Sequence, residues 1–137
     1  MNDFHIKLQS LVHGWATIKF EDSEREQVQM VSHILDDSLS NLVYSALAAI
    51  QGEIYRTEFY LEPEFICYEV TPHDGEIYVS IGTTRFSCSL KRYVRQILKL
   101  FDAYLHFHST EEYEAQWHHE YPINTIEQLR YQLRKMP

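Results

Sequence analysis

Hydrophobic and polar positions alternate along the first third of the chain. Phe4, Ile6 and Leu8 alternate with His5, Lys7 and Gln9, which predicts a first strand. His13-Gly14-Trp15 leads into a second strand, Ala16 to Phe20, and Glu21-Asp22-Ser23-Glu24 makes a polar turn after it. From Gln27 to Leu35 the alternation puts Val28, Met30, Ser32 and Ile34 on one face and Gln29, Val31, His33 and Leu35 on the other. Both faces carry apolar residues, which fits a strand that is bent or buried on both sides. The period then changes. Asp36-Asp37-Ser38 is an N-cap cluster, and Leu39, Leu42, Val43, Ala46, Leu47 and Ile50 follow as one helical stripe that Gly52 ends. The small side chains of Ala46, Ala48 and Ala49 allow this helix to lie close to a sheet.

The stretch from Glu53 to Phe86 organises the rest and predicts three antiparallel strands. Ile54 to Leu61 is rich in aromatic and β-branched residues. Phe65 to Val70 follows the break at Glu62-Pro63-Glu64. Thr71-Pro72-His73-Asp74-Gly75 makes a hairpin turn, and Glu76 to Ile81 returns the chain. Ser87 to Ser89 offers caps for a second helix with the stripe Leu90, Tyr93, Val94, Ile97, Leu98, Phe101, Tyr104 and Leu105. Lys91, Arg92, Arg95 and Lys99 lie opposite that stripe, the one dense basic surface of the chain. Ser109-Thr110-Glu111-Glu112 resembles a capping box and opens a short helix, on which Tyr113 and Trp117 are four apart and share a face. Tyr121-Pro122 ends it, and Thr125 caps a last helix anchored by Ile126, Leu129 and Leu133.

These elements predict an α+β fold in a single domain over residues 1–137. The expected architecture is one antiparallel sheet of about six strands, with a central amphipathic helix and a C-terminal helical region packed mostly on one face. Trp15, Leu42, Leu47, Phe59, Ile77, Val79, Ile97, Phe101 and Trp117 are expected in the core.

Composition narrows the class. Apolar residues make up 45% of the 137 residues and aromatics 14%, which excludes intrinsic disorder. No apolar run approaches the roughly 18 residues of a membrane span. The N-terminus, Met1-Asn2-Asp3-Phe4-His5, lacks the basic and then apolar build of a signal peptide, so a cytoplasmic protein is expected. Cys67 and Cys88 fit that compartment, each reading as a small buried hydrophobe and neither in a Cys-x-x-Cys pair. The net charge of -8 makes nucleic acid a poor partner and a basic protein a good one.

Catalytic signatures are missing from the pattern. There is no Gly-x-Ser-x-Gly, no phosphate-cradling glycine loop, and four glycines in all. No enzymatic role and no cofactor are expected. The eight histidines carry the one metal hypothesis, with His106, His108, His118, His119 and Glu120 as its donors. On a helix neither the two-apart nor the adjacent pair shares a face; on irregular backbone a His-x-His pair chelates.

Several motifs occur in a familiar order. His13-Gly14-Trp15 precedes a strand, an Asp-Ser-Leu-Ser segment opens an alanine-rich helix, and Glu62-Pro63-Glu64 follows an aromatic strand. Tyr113-x-x-x-Trp117 then runs into Tyr121-Pro122 and a leucine-spaced end. Over nearly the whole chain this order resembles a family of small, standalone bacterial proteins without an established activity. In general form it resembles the immunity proteins of bacterial toxin systems, which are small, acidic and α+β. The His118-His119-Glu120 run departs from the pattern.

Acidic charge, many tyrosines and the missing catalytic constellation point to a non-enzymatic protein-binding module, most concretely an inhibitor of a toxin or effector with a basic protein as partner. Glu58, Tyr60, Glu62, Glu64 and Tyr68, with the acidic turn Glu21, Asp22 and Glu24, are the expected contacts, since tyrosines and charges anchor interfaces. The alternative is a small metal- or ligand-binding enzyme using the C-terminal histidines. A homodimer burying an apolar sheet edge or the Tyr113/Trp117 face is compatible with the first reading.

Overall fold

A computed structural model of the chain describes residues 3–137; Met1 and Asn2, which open the N-terminal segment read above, lie outside the described residues. Three strands come first: β1 (His5–Val12), β2 (Trp15–Glu21) and β3 (Glu26–Ser32), paired antiparallel in that order. A two-residue turn joins β1 to β2, with His13 at φ 52° and Gly14 at φ 80°. Positive φ at both central residues is what lets a hairpin this short follow the strand twist. Between Leu8 and Ser10 the register slips, so Gln9 forms a bulge in β1.

Helix α1 (Ser38–Ile50) follows, with the Asp37 side chain accepting from the Ser40 backbone N–H. A second antiparallel sheet is built from β4 (Tyr55–Tyr60), β5 (Phe65–His73), β6 (Glu76–Ile81) and β7 (Thr84–Ser89) in sequence order. The chain closes with α2 (Leu90–Phe107), α3 (Thr110–Trp117) and α4 (Ile123–Lys135). Ser109 and Glu112 form a reciprocal capping box on α3.

The expected single sheet of about six strands is therefore corrected: among the described residues the α+β fold has two separate sheets, of three and four strands, and four helices. The physical reason lies at Leu35 and the acids after it. Leu35 turns at φ 77°, Asp37 caps α1, and the helix carries the chain away before β4 begins. Each sheet then closes as a meander on its own short turns. Side chains join the two where strands do not. The Ser32 hydroxyl donates to Glu62 Oε2 at 2.5 Å, and the Thr84 hydroxyl donates to Gln27 Oε1 at 2.9 Å.

Four further expectations change. Ser87 to Ser89 belongs to β7, whose Phe86 and Cys88 point inward; Ser89 alone caps α2, accepting from Arg92 N at 3.1 Å. Helix α4 starts at Ile123 after Pro122, so Thr125 lies inside it and donates to the Pro122 carbonyl at 3.1 Å. Trp15 is half-buried, because Ala16, Ile18 and Phe20 take the inward positions of β2. Leu47 packs against the core but is only partly buried.

The inward faces of both sheets meet α1 and α2 in one apolar cluster. Ile18, Phe20, Val70, Ile77 and Val79 pack there with Leu42, Val43, Ile97 and Phe101. Each such side chain contributes about 1.5–3 kcal/mol through burial. A polar chain crosses this core. The Ser45, Tyr93 and Tyr68 hydroxyls lie 2.6 Å apart in turn, and Ser45 also donates to the Leu42 carbonyl at 2.6 Å. Burial pushes both phenols well above the ordinary tyrosine range, so they remain neutral donors and acceptors. Among the described residues no helix is long and apolar enough to cross a membrane.

Candidate protein-binding surface

Strand parity decides what β4 and β5 show to solvent. Phe59 is fully buried, so Arg56, Glu58 and Tyr60 point the other way; Tyr68 and Val70 are buried, so Phe65, Cys67 and Glu69 point outward with them. The register places these residues opposite one another: Arg56 with Glu69, Glu58 with Cys67, Tyr60 with Phe65. Arg56 Nε donates to Glu69 Oε2 at 2.9 Å in an ion pair, and the Tyr60 and Phe65 rings have centroids 4.9 Å apart. Across from them stands the β3–α1 loop, where the left-handed Leu35 directs its side chain into water with 70% of it exposed. Phe65 is 51% exposed. An open groove of about 590 Å³ runs between Leu35 and Asp36 on one side and Glu58, Tyr60, Phe65 and Cys67 on the other. It joins apolar contact area to the carboxylates of Asp36 and Glu58, and Arg56, which also lines it, is already held by Glu69.

The expected contacts fall into three groups. Glu58 and Tyr60 line the groove. Glu62 and Glu64 sit in the adjoining β4–β5 turn, where Glu62 has φ 55° and Leu61 N donates to the Glu64 carbonyl at 2.7 Å. Both are exposed, but the Glu62 carboxylate already accepts from Ser32. Tyr68 is corrected: it is fully buried, stacks on Phe59 at 4.9 Å and bonds Tyr93, so no partner reaches it. The acidic turn is neutralised internally. Glu21 pairs with Lys7 at 3.0 Å and Lys19 at 3.4 Å, and the hydrogen bond from Lys7, above all, holds its carboxyl below the usual range. Asp22 closes the turn by accepting from Glu24 N and Arg25 N, and Glu24 pairs with Arg25. None of Glu21, Asp22 and Glu24 lines the groove.

The histidines separate into two places. His106 lies in the last turn of α2 with its ring perpendicular to Phe107, while His108 stacks on Tyr104 at 4.4 Å and meets Glu112 Oε2 at 3.3 Å. His118 ends α3 in a left-handed conformation, and its ring lies 4.6 Å from that of His33. His119 Nε2–H donates to the His33 carbonyl at 2.8 Å, and His33 Nδ1–H donates to the Gly14 carbonyl at 3.1 Å. Those nitrogens serve backbone acceptors, tying the segment after α3 to the β3–α1 loop and that loop to the β1–β2 hairpin. Among the described residues no three His, Cys, Asp or Glu side chains gather so as to hold a metal ion. Tyr113 and Trp117 are fully buried inside the chain, so that face is not available to a second copy.

Set against models of protein families, curated proteins and solved structures, the chain matches none. Its surface chemistry must therefore be read from its own residues. The sequence pattern missed Leu35 and Phe65. By alternation Leu35 continues the β3 face of Gln29, Val31 and His33. Positive φ at Leu35 turns it outward instead. For Phe65 the signal was present in the parity it shares with Cys67 and Glu69.

Proposed function

We propose that the protein is a non-enzymatic protein-binding module that holds a basic segment of a partner against the β4–β5 groove. One observation carries this reading: exposed apolar Leu35 and Phe65 flank the carboxylates of Asp36 and Glu58 on a chain of net charge -8. An aromatic and an aliphatic anchor beside carboxylates that make none of the ion pairs among the described residues favour a partner with apolar and cationic side chains close together. The overall charge would speed encounter with such a partner. A toxin or effector of basic surface, neutralised by this protein as an immunity protein neutralises its toxin, is the partner class we favour.

The test compares two immobilised proteins in lysate of the native host: the wild type and the double variant Asp36→Lys/Glu58→Lys. Glu58 is exposed and Asp36, though exposed, accepts from Asp37 N and Asn41 Nδ2 at 2.8 Å each, so matched melting temperatures verify the fold of the variant. The expected result is one stoichiometric basic protein on the wild type, with at least a tenfold loss of affinity in the variant when that protein is purified and titrated. Equal binding to both proteins, or capture of no protein, overturns the proposal.

A further inference from the structure

β1 is an edge strand, and its two halves are treated differently. Alternate residues of an edge turn their backbone N–H and C=O groups away from the sheet, and native proteins cover or pair them. Over the first half, α2 provides the cover. Arg92 Nε donates to the Phe4 carbonyl at 2.9 Å, and Gln96 Oε1 accepts from Ile6 N at 3.3 Å. Over the second half, α2 diverges from the strand. A groove of about 470 Å³ opens between Leu8–Val12 and the end of α2, walled by Ala103, Tyr104, Phe107 and His108. It is continuous, through Leu8 and Ala103, with a cavity of about 290 Å³ that Lys7, Gln96 and Lys99 line. Phe107 stands 81% exposed at the far end. The bulge leaves Gln9 without a partner residue in the β1–β2 register.

Charge tells what fits. Lys99 and Arg95, one turn apart on α2, are exposed and make none of the ion pairs found among the described residues. The acids nearby are engaged: both Asp102 oxygens accept from Arg130, at 3.0 and 3.1 Å, and Glu112 meets His108. A chain of net charge -8 thus presents a locally basic rim beside an apolar floor and an uncovered strand edge.

We propose that this edge takes up an extended, acidic segment of a protein as an added strand. The segment hydrogen-bonds to β1 between Leu8 and Val12, seats an apolar side chain against Ala103 and Phe107, and sets a carboxylate against Lys99. At about 3.3 Å per residue, the uncovered edge accommodates a segment of about five residues, or roughly 16 Å. The site is separate from the acidic groove on β4 and β5 and stands whether or not that groove binds a basic partner.

The test is selection of random twelve-residue displayed peptides on the full chain, with counter-selection on Ala103→Trp. That exposed position tolerates the larger side chain, which fills the groove; matched melting temperatures verify the fold. Enriched peptides are expected to alternate Asp or Glu with apolar residues. They should bind Ala103→Trp and Lys99→Glu at least tenfold more weakly than wild type, and Glu58→Lys equally well. Binding should slow amide hydrogen exchange at Leu8–Val12, and N-methylation of the peptide backbone should abolish it. The inference is overturned if no peptide is enriched over the counter-selection, if the enriched peptides are basic, or if protection falls elsewhere than β1.

Discussion

Trp117 Nε1–H donates to Asp37 Oδ1 at 2.8 Å, joining α3 to the start of α1 across 80 residues of sequence. The same carboxylate accepts from Ser40 N at 3.2 Å and from the Ser40 hydroxyl at 2.6 Å. One side chain therefore caps α1 and anchors the indole of a fully buried tryptophan. Asp37→Ala should cost about 2–4 kcal/mol, the sum of a lost N-cap and an indole N–H left without an acceptor. Asp37→Asn, which still offers an oxygen to both, should cost less than half as much. Urea denaturation followed by tryptophan fluorescence measures both. Equal losses for the two variants would show that charge, not hydrogen bonding, is what matters at this position.

The buried hydroxyl chain makes an asymmetric prediction. Tyr93 stands between Ser45 and Tyr68, each 2.6 Å away. Tyr93→Phe leaves the Tyr68 hydroxyl buried without its partner and should destabilise by about 1–3 kcal/mol. Tyr68→Phe should cost less, since Tyr93 keeps Ser45. Once Tyr93 is Phe, removing the Tyr68 hydroxyl as well should cost nothing further or recover stability. A double-mutant cycle by urea denaturation reads this coupling, and simple additivity would count against it.

Much of the fold was legible, and the failures have separate physical causes. The helical stripe after Asp37, the Asp74-Gly75 turn and the capping box at Ser109 depend on neighbours in sequence, and the pattern located all of them. Sheet count depends on whether β3 and β4 pair. That is decided by backbone geometry at Leu35, which hydrophobicity does not report. The strand β7 was hidden because Ser87-Cys88-Ser89 also reads as a cap, although Phe86 and Cys88 already alternate with Arg85 and Ser87. At the candidate surface, Glu58 and Tyr60 were legible as outward residues. Tyr68 was misread because an interface-prone residue type was weighed above its parity with Val70. The basic face of α2 was visible too, but its meeting with the edge of β1 requires the tertiary fold.

The two cysteines should differ sharply in reactivity. Burial pushes the Cys88 thiol up to about 12, and the strand packs it at 2% exposure. At pH 8 such a group is ionised to about one part in ten thousand, and thiolate is the reactive form. Cys67 lies half-buried on the outer face of β5 in the acidic groove. A maleimide at pH 8 should therefore modify Cys67 alone in the folded protein and both cysteines in urea, read by intact mass. Modification at Cys67 should also block a partner that uses the groove. Equal labelling of both thiols under native conditions would contradict the burial of β7.

Acid should loosen the start of α3 through Glu112. Its Oε1 accepts from Ser109 N at 3.0 Å and its Oε2 meets His108; the backbone hydrogen bond, first, lowers its pKa below the usual value of 4.5. A carboxylate depressed in the folded state stabilises the fold above its unfolded pKa, and that contribution is lost as pH falls through the folded value. At pH 7, Glu112→Gln should therefore melt below wild type, because the amide accepts the same bonds without charge at the positive end of the helix. As pH falls below 4.5 and through the lowered folded value, the wild-type carboxyl becomes neutral as well, so the two melting curves should converge. Thermal melts at a series of pH values, followed by circular dichroism, give the comparison. A difference that stays constant from pH 7 to pH 2 would mean that the substitution acts through packing, and that the charge of Glu112 contributes nothing to this helix.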